Sequence, residues 1–279
     1  MMMESDESTA VLILRGMLQQ EEKCYKVHDY FRDLQSSLCC GRAATAQNPV
    51  DADAREQIVT WLFSIMDACK YPKDVVSVIM SCLDRFVATP DGQQILLDRC
   101  QYQLAALSAL YTCVKIHCPE AMSPDLIAKL SHGIYTAEDV EAMERRMLGV
   151  LDFRVNPPIS MDFVRIYLDT IASTSFSFDE RAQNLILELA EFQTNWYVMD
   201  YDLAASSKAS HVAVASLLNA IESILEYTDN GRELSQLIHD ELVSRCGVDI
   251  DETSLTRLKQ TLYISIPEQS IDRKSTRLN

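Results

Sequence analysis

The sequence predicts an all-α chain with two consecutive sets of five helices, and three observations support this. Only 7 glycines and 8 prolines occur in 279 residues, less than half the usual combined share of roughly 12 per cent, so turn material is too scarce for a many-stranded sandwich or propeller. No strand pattern alternates with the helical one, which excludes most cofactor folds built on parallel sheets. Apolar residues, 48% of the chain, recur at spacings of three and four over most of its length, the period of a helix with one buried face. At roughly 150 residues per domain the length suits two domains. With 24% charged residues beside that apolar content, the chain can bury a real core and wholesale disorder is not expected.

Residues 1–50 are expected to hold an N-terminal helix over about 8–35, opening Thr9-Ala10-Val11-Leu12-Ile13-Leu14-Arg15-Gly16-Met17-Leu18. A polar, small-residue linker from Cys39 to Pro49 follows, so the helix reads as an arm ahead of the main fold. Residues 51–156 carry the first five-helix set. Ile58, Trp61, Leu62, Ile65, Met66 and Cys69 stripe its first helix, and Val75, Val76, Ile79, Cys82, Leu83 and Phe86 its second. The third, Cys100 to His117, is apolar nearly all round and should be central. A short fourth helix starts at Ser123-Pro124, a cap residue and a first-turn proline, and closes at Gly133. The fifth opens on Thr136-Ala137-Glu138-Asp139, a capping-box start with the shorter Asp in the Glu position, and runs to Leu151.

Pro157-Pro158 marks the seam, and residues 157–266 carry five more helices, over 161–171, 181–199, 209–225, 232–243 and 254–264. The third of these is again small and apolar (Val212, Ala213, Val214, Ala215, Leu217, Leu218), which suggests a duplicated architecture. Residues 267–279 form a basic tail resembling translated adapter sequence, and no function is assigned to it.

With 25 basic and 41 acidic side chains the formal charge is −16, which argues against gripping a phosphate backbone. No run approaches the roughly 18 apolar residues of a membrane helix, and Met1-Met2-Met3-Glu4-Ser5-Asp6-Glu7 is acidic where a signal peptide would be basic. The expectation is a soluble intracellular protein with no membrane or nucleic-acid partner. Nine cysteines without a Cys-x-x-Cys pair, several in apolar stretches (Cys69, Cys82, Cys100, Cys113), read as buried free thiols. His239-Asp240-Glu241-Leu242 lies far from the C-terminus, where an endoplasmic-reticulum retention signal would have to stand.

No catalytic constellation is present: no glycine-rich phosphate loop, no His-Glu-x-x-His, no Gly-x-Ser-x-Gly and no Glu-x-x-His pair. The neighbours His117-Cys118 point about 100 degrees apart on a helix and cannot simply share a proton. No catalytic residue, cofactor or metal is therefore expected. Arg55 and Asp84 interrupt apolar helix faces, and because a buried charge is costly unless matched, pairing them would fix one helix against the next. The alternative is two unrelated surface charges. Lys115 and Glu144 read from the residues alone as solvated charges.

Together, Ala54-Arg55-Glu56-Gln57-Ile58-Val59-Thr60-Trp61-Leu62, Cys82-Leu83-Asp84-Arg85-Phe86-Val87, Lys115 and Met143-Glu144-Arg145-Arg146-Met147-Leu148-Gly149-Val150-Leu151-Asp152-Phe153 resemble the first box of the cyclins in order and spacing. The resemblance covers about residues 54–155, and less distinctly 9–265. Leu14-Arg15-Gly16-Met17-Leu18, Glu21-Glu22-Lys23-Cys24 and Thr60-Trp61 look most like the D-type (G1) group.

The resemblance implies two cyclin-box domains and a regulatory subunit, not an enzyme, that binds and activates a cyclin-dependent kinase in the nucleus and cytoplasm. It further implies that Lys115 and Glu144 hydrogen-bond to backbone near the kinase C-helix and that Leu148, Phe153 and Val155 pack on that helix. Leu14, Met17 and Leu18 would extend the contact, and Arg55 with Asp84 would be an internal ion pair. The family's docking patch for kinase substrates or inhibitors begins with methionine and carries an aliphatic residue two after the arginine. Ala54 and Gln57 stand there instead, while Ile58 and Trp61 remain as candidates. Leu38-Cys39-Cys40-Gly41-Arg42 has Arg where the retinoblastoma-binding motif of the D-type group needs Glu. A transcription-factor-type member of the fold and a helical scaffold without a kinase are the alternative readings.

Overall fold

The computed structural model describes residues 9–39, 48–118, 120, 122–172, 178–225 and 231–264. Its helices, in chain order, are α1 (Thr9–Cys24), α2 (Tyr30–Cys39), α3 (Ala52–Cys69), α4 (Val75–Val87), α5 (Pro90–Gln93), α6 (Arg99–His117), α7 (Pro124–Lys129), α8 (Ala137–Val150), α9 (Ser160–Ala172), α10 (Glu180–Met199), α11 (Tyr201–Ser206), α12 (Ala209–Leu225), α13 (Gly231–Cys246) and α14 (Glu252–Ile264). Among the described residues the sole β feature is an isolated bridge between Asn48 and Asp98, so the fold is all-α. Two compact units form: a first of residues 23–157 and 198–206, and a second of residues 1–22, 158–197 and 207–279.

In the first unit α6 is the axis, packed by α3, α4, α7 and α8. Its buried face carries Ala105, Ala106 and Ala109 among leucines, small side chains that let neighbouring helices approach closely. The helix ends follow from local chemistry. Asp51 caps α3 by accepting from Ala54 N at 2.8 Å, Ser123 caps α7 ahead of Pro124, and Thr136 with Asp139 forms a reciprocal capping box on α8. Gly92 allows α5 to turn against α4, where a Cβ would meet Phe86 O at 2.0 Å.

In the second unit α12 takes the same central place, packed by α9, α13 and α14. Asn219 on α12 donates to Gln193 Oε1 at 2.8 Å and to Lys259 O at 2.9 Å, so an amide network links α12 to α10 and α14. Glu21 on α1 accepts from Ser210 N (2.9 Å) and Ser210 Oγ (2.6 Å), capping α12, while Lys208 meets Glu22 at 2.8 Å. Burial pushes the Glu21 carboxyl above its ordinary pKa, against the pull of those hydrogen bonds.

Three expectations need correction. The single helix over 8–35 is two, because the chain breaks at Tyr25–Asp29 and Asp29 accepts from Arg32 N to start α2. The N-terminal helix is no free arm, since Leu14 is 1% exposed and Glu21 is fastened to α12. Cys82 and Cys113 are buried, but Cys69 and Cys100 are exposed because they sit in the end turns of α3 and α6. The short helices α5 and α11 were not foreseen at all.

Candidate partner-binding face

The first unit buries an arginine and completes it. Arg55, on α3 and 1% exposed, grips Asp84 of α4 with two hydrogen bonds, Nε to Oδ1 at 3.1 Å and Nη2 to Oδ2 at 2.7 Å. Nη1 donates to Val198 O at 2.8 Å, and Tyr30 donates to Asp84 Oδ1 at 2.7 Å. Burial opposes the guanidinium charge, yet Asp84 holds its pKa above the ordinary arginine value. The same burial lifts Tyr30 and Tyr102 far above the usual phenol range, so both remain neutral phenols. The pair is internal, and its role is to lock α3 against α4.

A second pair lies at the surface. Lys115, in the last turn of α6, reaches Glu144 Oε1 on α8 at 2.5 Å, and Thr112 donates to the same oxygen at 3.0 Å. The Lys115 ammonium also sits 4.0 Å from the centre of the Tyr111 ring. Glu144 is buried and Lys115 half-exposed. The arrangement therefore presents a held cation with hydrogen-bonding capacity left over, because an ammonium has three donors.

Leu148 follows Glu144 by one helical turn and shares its face of α8. The helix then ends in a Schellman-like turn, with Phe153 N donating to Leu148 O at 2.9 Å. Asp152 (φ 51°) and Phe153 (φ 58°) both occupy the left-handed region. Asp tolerates it, whereas a bulky aromatic there is strained by about 1–3 kcal/mol. The result is a Phe153 ring 72% exposed. From α4, Arg85 donates through Nη2 to Arg154 O at 2.5 Å.

Not every residue expected on this face is exposed. Val155 turns inward and is buried, its carbonyl 3.6 Å from Cys82 Sγ, because the chain leaving Phe153 re-enters the core. Leu14 on α1 is also buried. Met17 and Leu18 are half-buried, and the exposed apolar residues of that helix are Leu12 and Ile13. Ile58 and Trp61 are half-exposed neighbours on α3. The 40–42 part of Leu38-Cys39-Cys40-Gly41-Arg42 and the tail from 267 lie outside the described residues.

Thr112, Tyr111, Tyr30 and Arg85 are additions that sequence reasoning missed. Thr112 alone left a trace, three residues before Lys115 on one helix face. Among the described residues no group of His, Cys, Asp and Glu could hold a metal ion, and none of the described helices is long and apolar enough to cross a membrane. What α8 and its closing turn offer chemically is a held charge pair and a projecting aromatic residue, the elements of an interface anchor.

A family model, the N-terminal domain of cyclins, matches residues 13–156. Among curated proteins the chain is 28% identical over 203 residues to Cyclin-A3-1 of Oryza sativa subsp. japonica, covering 68% of this chain and 51% of that protein. It is 23% identical over 202 residues to G2/mitotic-specific cyclin-B3 of Gallus gallus, covering 72% and 46%. The chain thus spans about half the length of the curated relatives it matches. Among solved structures, a viral cyclin from herpesvirus saimiri has the same fold, with a TM-score of 0.59 at 15% identity over 84% of this chain and 96% of that one.

Proposed function

The chain belongs to the cyclin family, and from that premise we propose that it is a regulatory subunit that binds and activates a cyclin-dependent serine/threonine kinase. Family members are kinase regulators and not themselves enzymes. The observation that carries the reading is the Lys115–Glu144 pair set one helical turn from Leu148 on α8, the helix whose closing turn projects Phe153.

The mechanism is a population shift. A lone kinase with its C-helix turned outward lacks the internal Lys–Glu pair that positions ATP, and its activation loop is misplaced. A partner that binds only the inward state stabilises it. Taking a minor state from 1:99 to 99:1 requires about 5.5 kcal/mol of differential binding, within reach of an apolar anchor flanked by hydrogen-bonded charges. In this reading Lys115 and Glu144 bond backbone beside the C-helix, while Leu148 and Phe153 pack on it. Ile58 and Trp61 are the proposed contact for substrates or inhibitors, and the protein occupies nucleus and cytoplasm.

The finer G1, D-type reading is also a proposal, carried by the N-terminal Leu14–Cys24 pattern and by Thr60-Trp61; the relatives reported above bear A- and B-type names. A pull-down against kinases activated by G1 cyclins and kinases activated by mitotic cyclins separates the two. Lys115→Ala combined with Glu144→Ala is expected to abolish kinase capture with an unchanged helical circular dichroism spectrum. Undiminished capture would remove these residues from the interface. Capture of no kinase by the folded wild type would leave the scaffold reading.

A further inference from the structure

We propose that Arg85, assisted by Cys82, is a positioning residue: it clamps the turn after α8 so that Phe153 stays projected toward the kinase partner. This deepens the function proposed above and rests on it.

Arg85 and Cys82 lie one turn apart on the same face of α4. Their side chains address consecutive carbonyls just beyond Phe153: Arg85 Nη2 reaches Arg154 O at 2.5 Å, and Cys82 Sγ lies 3.6 Å from Val155 O. The turn so held contains the adjacent left-handed residues Asp152 and Phe153. Such backbone persists only where its surroundings over-determine it, and these two contacts add to the turn's own hydrogen bonds, Phe153 N to Leu148 O and Arg154 N to Leu151 O, both at 2.9 Å.

Stability alone does not account for an arginine at this place. Arg85 is 6% exposed, and among the described residues its Nη1 has no hydrogen-bond partner. Its guanidinium faces the Tyr25 ring at 4.7 Å, the groups acting most strongly on its charge are Cys82, Tyr25, Arg154 and Cys113, and none of the ion pairs among the described residues gives it a carboxylate. Burial accordingly pushes its pKa below the ordinary arginine value. A buried cation without an acid is a net cost, one that an apolar side chain of similar length would avoid. What the arginine supplies, and an apolar residue cannot, is a donor aimed at the carbonyl that follows Phe153.

The test is a double-mutant cycle on the full chain. Arg85→Met, Phe153→Ala and their combination are compared for affinity toward the kinase that the wild type captures most strongly, with Arg85→Lys as the conservative variant. If Arg85 acts through Phe153, Arg85→Met weakens binding about tenfold in the wild type and by less than twofold in the Phe153→Ala background, since residues that act as a unit are not additive. Arg85→Lys recovers part of the loss, and Arg85→Met melts no lower than the wild type. An equal loss in both backgrounds, or no loss in either, overturns the proposal.

A second measurement needs no kinase. Hydrogen exchange of the amides of residues 152–155 in the free protein speeds in Arg85→Met while α6 exchanges as before. Unchanged exchange there overturns the clamp even if kinase binding holds. Accelerated exchange in a chain that captures no kinase would keep the clamp and overturn the function on which the proposal rests.

Discussion

The two units share a plan and differ in what they bury. Each wraps helices around a central helix of small and apolar residues, α6 in one and α12 in the other. The first unit, however, encloses two guanidinium groups and two carboxylates, and it holds all four described non-glycine residues with left-handed backbone: Lys70, His132, Asp152 and Phe153. The second unit fastens its core with neutral amides and hydroxyls and a carboxylate cap, Gln193, Asn219, Ser216 and Glu21. Buried full charge and strained backbone are costs that a plain scaffold has no need to carry. Their concentration in one unit is where the Lys115–Glu144 pair and the projecting phenylalanine also lie. The central-helix plan occurs twice, and only one of the two described cores pairs a guanidinium with a carboxylate.

The sharpest way to break this contrast is Arg55→Ala. It strands Asp84 and the carbonyl of Val198 in the first unit, so destabilisation of about 3–5 kcal/mol is expected in denaturant titration. A loss comparable to an ordinary surface substitution would mean that the pair is not what locks α3 to α4. Asn219→Ala in the second unit leaves Gln193 Oε1 and Lys259 O without their partner but strands no charge. The same titration should show about 1–3 kcal/mol, less than for Arg55→Ala. If the two variants cost the same, the distinction between charged and neutral cores fails.

The smallest effect concerns protons. Burial, and then Lys208, hold the His211 imidazole below its usual pKa among Glu22, Lys208 and Asp249. A histidine that binds protons less readily folded than unfolded loses stabilisation as pH falls below about 6.5. Melting temperature should therefore drop modestly between pH 7 and pH 5.5, and His211→Gln should flatten that slope. Glu21, whose carboxyl is raised by burial, works the other way at lower pH, because its folded form binds the proton more readily. A slope that His211→Gln leaves intact would assign the acid sensitivity elsewhere.

Much of the fold was legible because it depends on neighbours in sequence. The stripe from Ile58 to Cys69, the caps at Ser123 and Thr136, and the apolar encirclement of α6 and α12 are all local patterns. Arg55 and Asp84 were legible as a candidate pair because unmatched charge in a core is expensive, although the residues alone left open that both were exposed. Tyr30 and Arg85 were not legible. Tyr30 meets Asp84 across 54 positions, and Arg85 bonds a backbone carbonyl, which carries no mark in the sequence. The burial of Val155 was not legible for a related reason. Its apolar character fits inside and outside equally, and the direction of the chain after Phe153 decides between them.

The reach of Arg55 to Val198 O spans 143 positions within one unit, and Tyr201 bonds Asp29 across 172. During synthesis, at about 5–20 residues per second, roughly 7–30 s separate the appearance of Arg55 from that of its last acceptor. Until then the nascent first unit carries a guanidinium with an open donor and a tyrosine site without its tyrosine. Its final ordering is thus timed by the second half of the message, and an excised fragment ending at Pro157 would repeat that unfinished state indefinitely unless residues 198–206 were grafted back.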